Sequence, residues 1–138
     1  MAGTISMQDM RHLNLFRRIT GVSTRHVLRY NEMIVFCVPK SMISKAIGPE
    51  ARNIKRIGEI LGRRIKVIPI PQGNQHIRQF IQAIVFPIDF KDLEIKEGEI
   101  ILNAGNRSKA ALLGRNKRRL HEMQKIIKDF FGKDFKII

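Results

Sequence analysis

Two tetrapeptides gather the residues best placed to do chemistry, Gly48-Pro49-Glu50-Ala51 and Gly114-Arg115-Asn116-Lys117. Each opens on a glycine between two helix-patterned segments. Lys45, Arg52, Lys55 and Arg56 flank the first, and Arg107, Lys109, Arg118 and Arg119 flank the second. A helix that starts at a glycine turn leaves first-turn N–H groups open, and these together with the helix dipole favour an anion. The expected chemistry is therefore binding, with a nucleic-acid phosphate as the natural anion. Ile43 and Ile47 in the first segment, and Leu112 and Leu113 in the second, are expected to line a groove for unstacked bases. The expected binding set is Lys45, Ile47, Gly48, Pro49, Ala51, Arg52, Lys55 and Arg56, with Arg107, Lys109, Leu113, Gly114, Arg115, Asn116, Lys117 and Arg118.

Other reactive residue types form no constellation. His12, His26, His76 and His121 stand apart, without metal-ligand spacing. Cys37 lies within the run Val35-Phe36-Cys37-Val38 and reads as a small buried hydrophobe. In a strand Asp92 and Glu94 share a face that Asp89 does not, which gives a solvated charged face and no shared cation site. Gly114 is not followed by Gly-Lys-Ser/Thr, so no NTPase phosphate loop is present. No catalytic cluster, cofactor or metal is expected, and the chain reads as a non-enzyme.

Composition agrees with a polyanionic partner. The 138 residues carry 26 Lys and Arg against 12 Asp and Glu, a formal charge of +14 and a pI near 10.8. No acid occurs between Ile100 and His121, whereas Asp89, Asp92, Glu94, Glu97 and Glu99 cluster just upstream. With 43 % hydrophobic residues the chain can pack a core. A single cysteine excludes an internal disulfide and any zinc site built on two thiolates, and suits a reducing, intracellular setting. No run of about 18 apolar residues suggests a membrane span, and Met1–Met10 lacks the apolar core of an export signal. The expected location is cytoplasmic. With no Trp and one Tyr, an aromatic stacking platform is not expected.

The elements that must hold these loops occur twice. Moved by 66 residues, Gly48 falls on Gly114, Ile34-Val35-Phe36 on Ile100-Ile101-Leu102, and Ile54, Ile57 and Leu61 on Leu120, Met123 and Ile127. Four additional residues, Lys128 to Phe131, raise the offset to 70, so that Gly62 meets Gly132 and Ile65 meets Phe135. Four residues are about one helical turn and keep the same helix face inward. The first unit predicts a helix over 10–20, a strand over 25–30, a strand over 32–38, and a helix capped by Ser41 that runs to Ile47. A helix then carries Ile54, Ile57 and Leu61 to a cap at Gly62, and a strand covers 65–70. The second predicts a helix around Ile77, Phe80, Ile81 and Ile84 stopped by Pro87, then strands over 88–95 and 99–104. Helices over 107–113 and 118–131 and a strand over 134–138 complete it. Pro69-Ile70-Pro71-Gln72-Gly73 is a short, stiff join. Each unit is near the lower size limit for folding alone, so mutual packing in a fixed relation is expected.

Helix–strand–strand–helix–helix–strand with a glycine loop between the central helices resembles the KH domain in its type II form. In that domain a Gly-x-x-Gly loop clamps about four nucleotides of single strand. The tandem pair, with Phe16-Arg17-Arg18-Ile19-Thr20-Gly21-Val22, Ala46-Ile47-Gly48 and the paired Gly62 and Gly132, resembles archaeal NusA-like transcription factors over roughly 7–138. The resemblance implies an α+β fold of two tandem KH (type II-like) modules, 8–70 and 74–138, each a small three-stranded sheet covered by helices. It implies single-stranded RNA as partner, RNA polymerase or nascent-transcript complexes beyond it, and a role in transcription elongation or termination. A ribosome-associated or RNA-processing role, or a protein-docking adaptor for polymerase, are the alternatives. Neither loop keeps the fourth-position glycine. Ala51 reads as a mild change, Glu50 as an anion where phosphate should sit, and Lys117 as added bulk with a favourable charge. The second loop is expected to bind the backbone better than the first.

Overall fold

The computed structural model describes residues 6–138. The first five positions of Met1–Met10, the segment read above as lacking a signal core, lie outside the described residues. By its internal contacts the chain divides into two compact units that part between Ile70 and Pro71.

In the first unit, helix α1 (Met7–Thr20) starts at Ser6, whose hydroxyl accepts the Asp9 N–H at 3.0 Å. It stops at Gly21, left-handed at φ 74°, whose N–H reaches the Arg17 carbonyl. Strands β1 (His26–Tyr30) and β2 (Met33–Val38) form an antiparallel hairpin. Its turn, Asn31-Glu32, has both residues left-handed, at φ 51° and 61°, as a tight hairpin turn requires. Glu32 therefore belongs to the turn and not to the strand expected to begin there. After α2 (Ile43–Ile47) and α3 (Arg52–Leu61), strand β3 (Arg64–Pro69) pairs parallel with β2, giving the order β1-β2-β3.

β2 is central, and each of its six residues is buried. Its alternate residues Ile34, Phe36 and Val38 pack with Phe16, Ala46 and Ile57 of the helices and with Val22 just after α1. The Phe16 and Phe36 rings stack at 4.3 Å. Ser41 does not cap α2. It lies inside a 3-10 turn, Lys40–Met42, that Met42 closes by donating to the Pro39 carbonyl at 2.8 Å.

The second unit repeats this plan. Helix α4 (Ile77–Val85) precedes the β4 (Asp92–Ile95) and β5 (Glu99–Asn103) hairpin. Helices α5 (Gly105–Leu113) and α6 (Arg118–Phe131) lead to β6 (Asp134–Ile137), parallel to β5. Pairing register recurs residue for residue. Val27 opposite Phe36 becomes Leu93 opposite Leu102, and Ile34 opposite Ile65 becomes Ile100 opposite Phe135. The four additional residues lengthen the second helix of the pair from 10 residues in α3 to 14 in α6. β4 is shorter than the strand expected over 88–95. β5 ends at Asn103, which is already opposite Asp92, so Ile88–Phe90 have no partner strand. Lys133 is buried, and its ammonium donates to the carbonyls of Lys96 and Glu97, closing the hairpin turn. The fold is thus α+β, two KH-like modules of type II order in tandem.

Candidate nucleic-acid interface

The two glycine loops share one backbone. α2 ends where Gly48 donates to the Ser44 carbonyl at 3.0 Å, and α5 ends where Gly114 donates to Ala110 at 3.0 Å. Gly48 has φ 78° and ψ 167°, Gly114 φ 74° and ψ 172°, a region essentially restricted to glycine. A 3-10 turn follows in each, with the N–H of Ala51 on the Gly48 carbonyl and that of Lys117 on the Gly114 carbonyl, both at 3.1 Å.

Within each turn the third and fourth residues are both left-handed. Glu50 and Ala51 have φ 56° and 60°, and Asn116 and Lys117 have φ 54° and 59°. This corrects the expectation for Ala51. Its Cβ is no mild addition but a side chain in a conformation that disfavours L residues by roughly 1–2 kcal/mol. Lys117 carries the same strain. Asn116 is the side-chain type that tolerates it best.

A brace holds each loop open. Asn53 donates from its side-chain amide to the Lys45 carbonyl at 3.2 Å, and Arg119 from Nη1 to the Ala111 carbonyl at 2.7 Å. Both donors stand five residues after the glycine and both acceptors three before it. A Cβ on Gly48 would lie 2.9 Å from Asn53 Cγ, and one on Gly114 would lie 2.8 Å from Arg119 Cγ and 3.0 Å from its backbone nitrogen. Each glycine is thus required by backbone angle and by space together. Nothing in the two residue types, an Asn and an Arg at equivalent positions, marks this brace in the sequence. Arg119 is half-buried by this role, which removes it from the exposed basic cluster in which its neighbours stand.

The expected binding residues all reach the surface beside these loops. Lys45, Pro49, Arg52, Lys55 and Arg56 are exposed, with Ile47, Gly48 and Ala51 half-buried. Arg107, Lys109, Arg115, Asn116, Lys117 and Arg118 are exposed, with Leu113 and Gly114 half-buried. None of these cations takes part in the ion pairs found among the described residues, where the acids Asp9, Asp92, Glu94, Asp134 and Glu99 are engaged elsewhere. Leu112 is a correction. At 2 % exposure it belongs to the core, and Ile43 packs against the first core. Ile47 and Leu113 remain as apolar side chains at the lip.

Outside the second loop lies a shallow depression of about 520 Å³ lined by Arg115, Asn116, Arg118, His121, Glu122 and Lys125. The equivalent first-module positions are Pro49, Glu50, Arg52, Lys55, Arg56 and Glu59. Glu50 and Glu59 thus stand where the second module has Asn116 and Lys125, and Pro49 lacks the N–H that Arg115 retains.

Among the described residues no group of three His, Cys, Asp or Glu is placed to hold a metal ion. Cys37 is fully buried, and burial pushes its thiol up to about 12, so it is not a thiolate at neutral pH. No described helix is long and apolar enough to cross a membrane.

Comparison with known proteins points one way. A protein of Methanococcus vannielii named probable transcription termination protein NusA is 29 % identical over 93 residues, covering 67 % of this chain and 52 % of that protein. Proteins of the same name from Halococcus morrhuae and Methanocaldococcus jannaschii are 31 % identical over 68 residues and 23 % over 128. At the level of family, the chain is similar to archaeal NusA-like proteins. The Halococcus match covers 49 % of each chain, and the Methanocaldococcus match 90 % of this chain and 68 % of the other. The chain therefore spans about half the length of the first two relatives. No protein-family model matches it. Its fold is shared with the crystal structure of APE1850, at a TM-score of 0.65 and 20 % identity over 97 % of this chain and 99 % of that one.

Proposed function

We propose that the chain is a non-enzymatic, single-stranded RNA-binding protein of NusA type, acting in transcription elongation or termination through nascent-transcript or polymerase complexes. Residues 8–70 and 74–138 are its two binding modules. One observation carries this reading: a glycine loop built twice to the same backbone angles, braced the same way, and bordered each time by exposed cations that no ion pair among the described residues consumes. Arg115, Lys117 and Arg118 form the stronger phosphate contact, because Arg can grip a phosphate through two N–H groups and no acid shares the loop. Gly48, Pro49, Ala51 and Arg52, with Lys55 and Arg56, form a weaker one beside Glu50. Two weak sites on one chain raise each other's effective concentration along a continuous strand.

The test is fluorescence anisotropy of a labelled 12-nucleotide single-stranded RNA at several salt concentrations, beside duplex RNA and single-stranded DNA of the same sequence. Selective binding to the single-stranded RNA, with a log–log salt slope near −0.7 for each phosphate contacted, is the expected result. Equal binding to all three polyanions, lost together as salt rises, would reduce the charge to a generic tether and overturn the assignment.

A further inference from the structure

The first module has a cationic corner that its glycine loop does not account for. Lys45 extends from α2 to the C-terminal end of α1, where its Cε and Nζ lie 3.5 and 3.7 Å from the place a Cβ on Gly21 would occupy. The Phe16 and Arg17 carbonyls near that end have partners of their own. Thr20 Oγ1 donates to Phe16, Gly21 N–H donates to Arg17, and Val22 N–H donates back to Thr20 Oγ1. The Lys45 ammonium thus lies near the negative end of the α1 dipole.

Arg17 and Arg18, in the same last turn, are exposed. Among the described residues none of these three cations joins an ion pair. The single acid of α1, Asp9, is committed to Arg29 at 2.7 Å near the other end of the helix. The Lys45 carbonyl is also the acceptor of the Asn53 brace, so the corner is fastened to the rim of the glycine loop.

The second module lacks this corner. The last turn of α4 is Gln82-Ala83-Ile84-Val85, and the residue equivalent to Lys45 is Ala111. Its cations are in the loop instead, at Arg115 and Lys117. The two modules thus place their cations at different points of one scaffold.

We infer that Arg17, Arg18 and Lys45 form a phosphodiester-binding corner, by which the first module holds a single-stranded RNA backbone in addition to the weaker contact at its Pro49-Glu50 loop. The inference rests on the RNA-binding reading above. It is tested by replacing Arg17, Arg18 and Lys45 with Gln in the full chain and titrating the labelled 12-nucleotide RNA across salt, beside wild type and Arg115→Glu/Lys117→Glu. The triple variant should lose roughly tenfold in affinity at low salt and flatten the salt slope by about 2, while Arg17→Lys/Arg18→Lys stays within about twofold of wild type. If the triple variant unfolds in a thermal melt, Lys45→Gln alone decides, with an expected slope loss of about 0.7. Unchanged slopes in a chain whose binding still falls with Arg115→Glu/Lys117→Glu would overturn the corner and spare the RNA reading. No binding by wild type would overturn both.

Discussion

The two glycine loops have one backbone and opposite electrostatics. Gly48 and Gly114 differ by a few degrees, and the Asn53 and Arg119 braces run between equivalent positions. Between those fixed points the first loop reads Pro-Glu-Ala and the second Arg-Asn-Lys. The loop's shape is therefore set by what lies outside its variable residues: a glycine that only glycine can replace, and a donor five residues on. The three residues between are left to set the charge presented to a ligand. Both loops retain two consecutive left-handed non-glycine residues, a strain of roughly 1–2 kcal/mol each, which the surrounding helices must over-determine.

The sharpest way to break this comparison is charge. Arg115→Glu with Lys117→Glu should lower RNA affinity by about a hundredfold, since it removes two phosphate contacts and adds two repulsive charges. Both side chains are exposed, so the melting curve should stay near wild type. Glu50→Gly in the first loop should act in the opposite direction, by a few-fold, because it removes an anion and relaxes a left-handed residue. Anisotropy titrations at one salt concentration check both. A weaker-binding Glu50→Gly would show that Glu50 is not repelling phosphate.

The next effect separates shape from charge. Gly114→Ala places a Cβ 3.0 Å from the Arg119 backbone nitrogen in a glycine-only conformation, and should cost about 2–3 kcal/mol of stability. Gly48→Ala should cost somewhat less. Its closest contacts, at 2.9 Å, are to the Asn53 amide, which can rotate away, and Asn53 N is at 3.2 Å. Urea denaturation of the two variants measures the difference. Equal costs would mean that backbone angle alone decides and the brace adds nothing.

These loops also show how far the sequence could be read. The repeat carried the topology: α6 runs from Arg118 to Phe131 as its apolar spacing predicts, and the pairing register of the first sheet recurs in the second at the 66- and 70-residue offsets. Leu112 lies in the core and not at the expected groove for a geometric reason. Consecutive residues on a helix point about 100° apart, so Leu112 and Leu113 cannot share an environment, and the polar composition of Gly105–Leu113 leaves its phase open. The strain at Ala51 and Lys117 has no sequence signal, because nothing in those residue types announces a positive φ. The Asn53 and Arg119 braces span eight residues across a loop, a distance no local periodicity encodes.

The smallest expected effect is pH, and it belongs to α1 and β1 of the first module. Burial lowers the pKa of His12, the Arg29 guanidinium at 3.3 Å from its Nδ1 lowers it further, and Asp9 opposes them. Burial and then Arg25 lower that of His26. A histidine whose folded pKa lies below the ordinary 6.5 binds fewer protons folded than unfolded. Its contribution is therefore complete above pH 6.5 and is lost as pH falls from there through the lower folded value. Protonating His12 would also set an imidazolium against Arg29, which already spends its other nitrogen on Asp9. Amide protection in α1 and β1 should fall between pH 6.5 and 5 relative to protection in α6 and β6, when followed by hydrogen exchange corrected for intrinsic rates. His12→Gln should flatten that fall, because an uncharged amide cannot acquire the proton that opposes the guanidinium. A fall of the same steepness in His12→Gln would place the pH response at His26 alone.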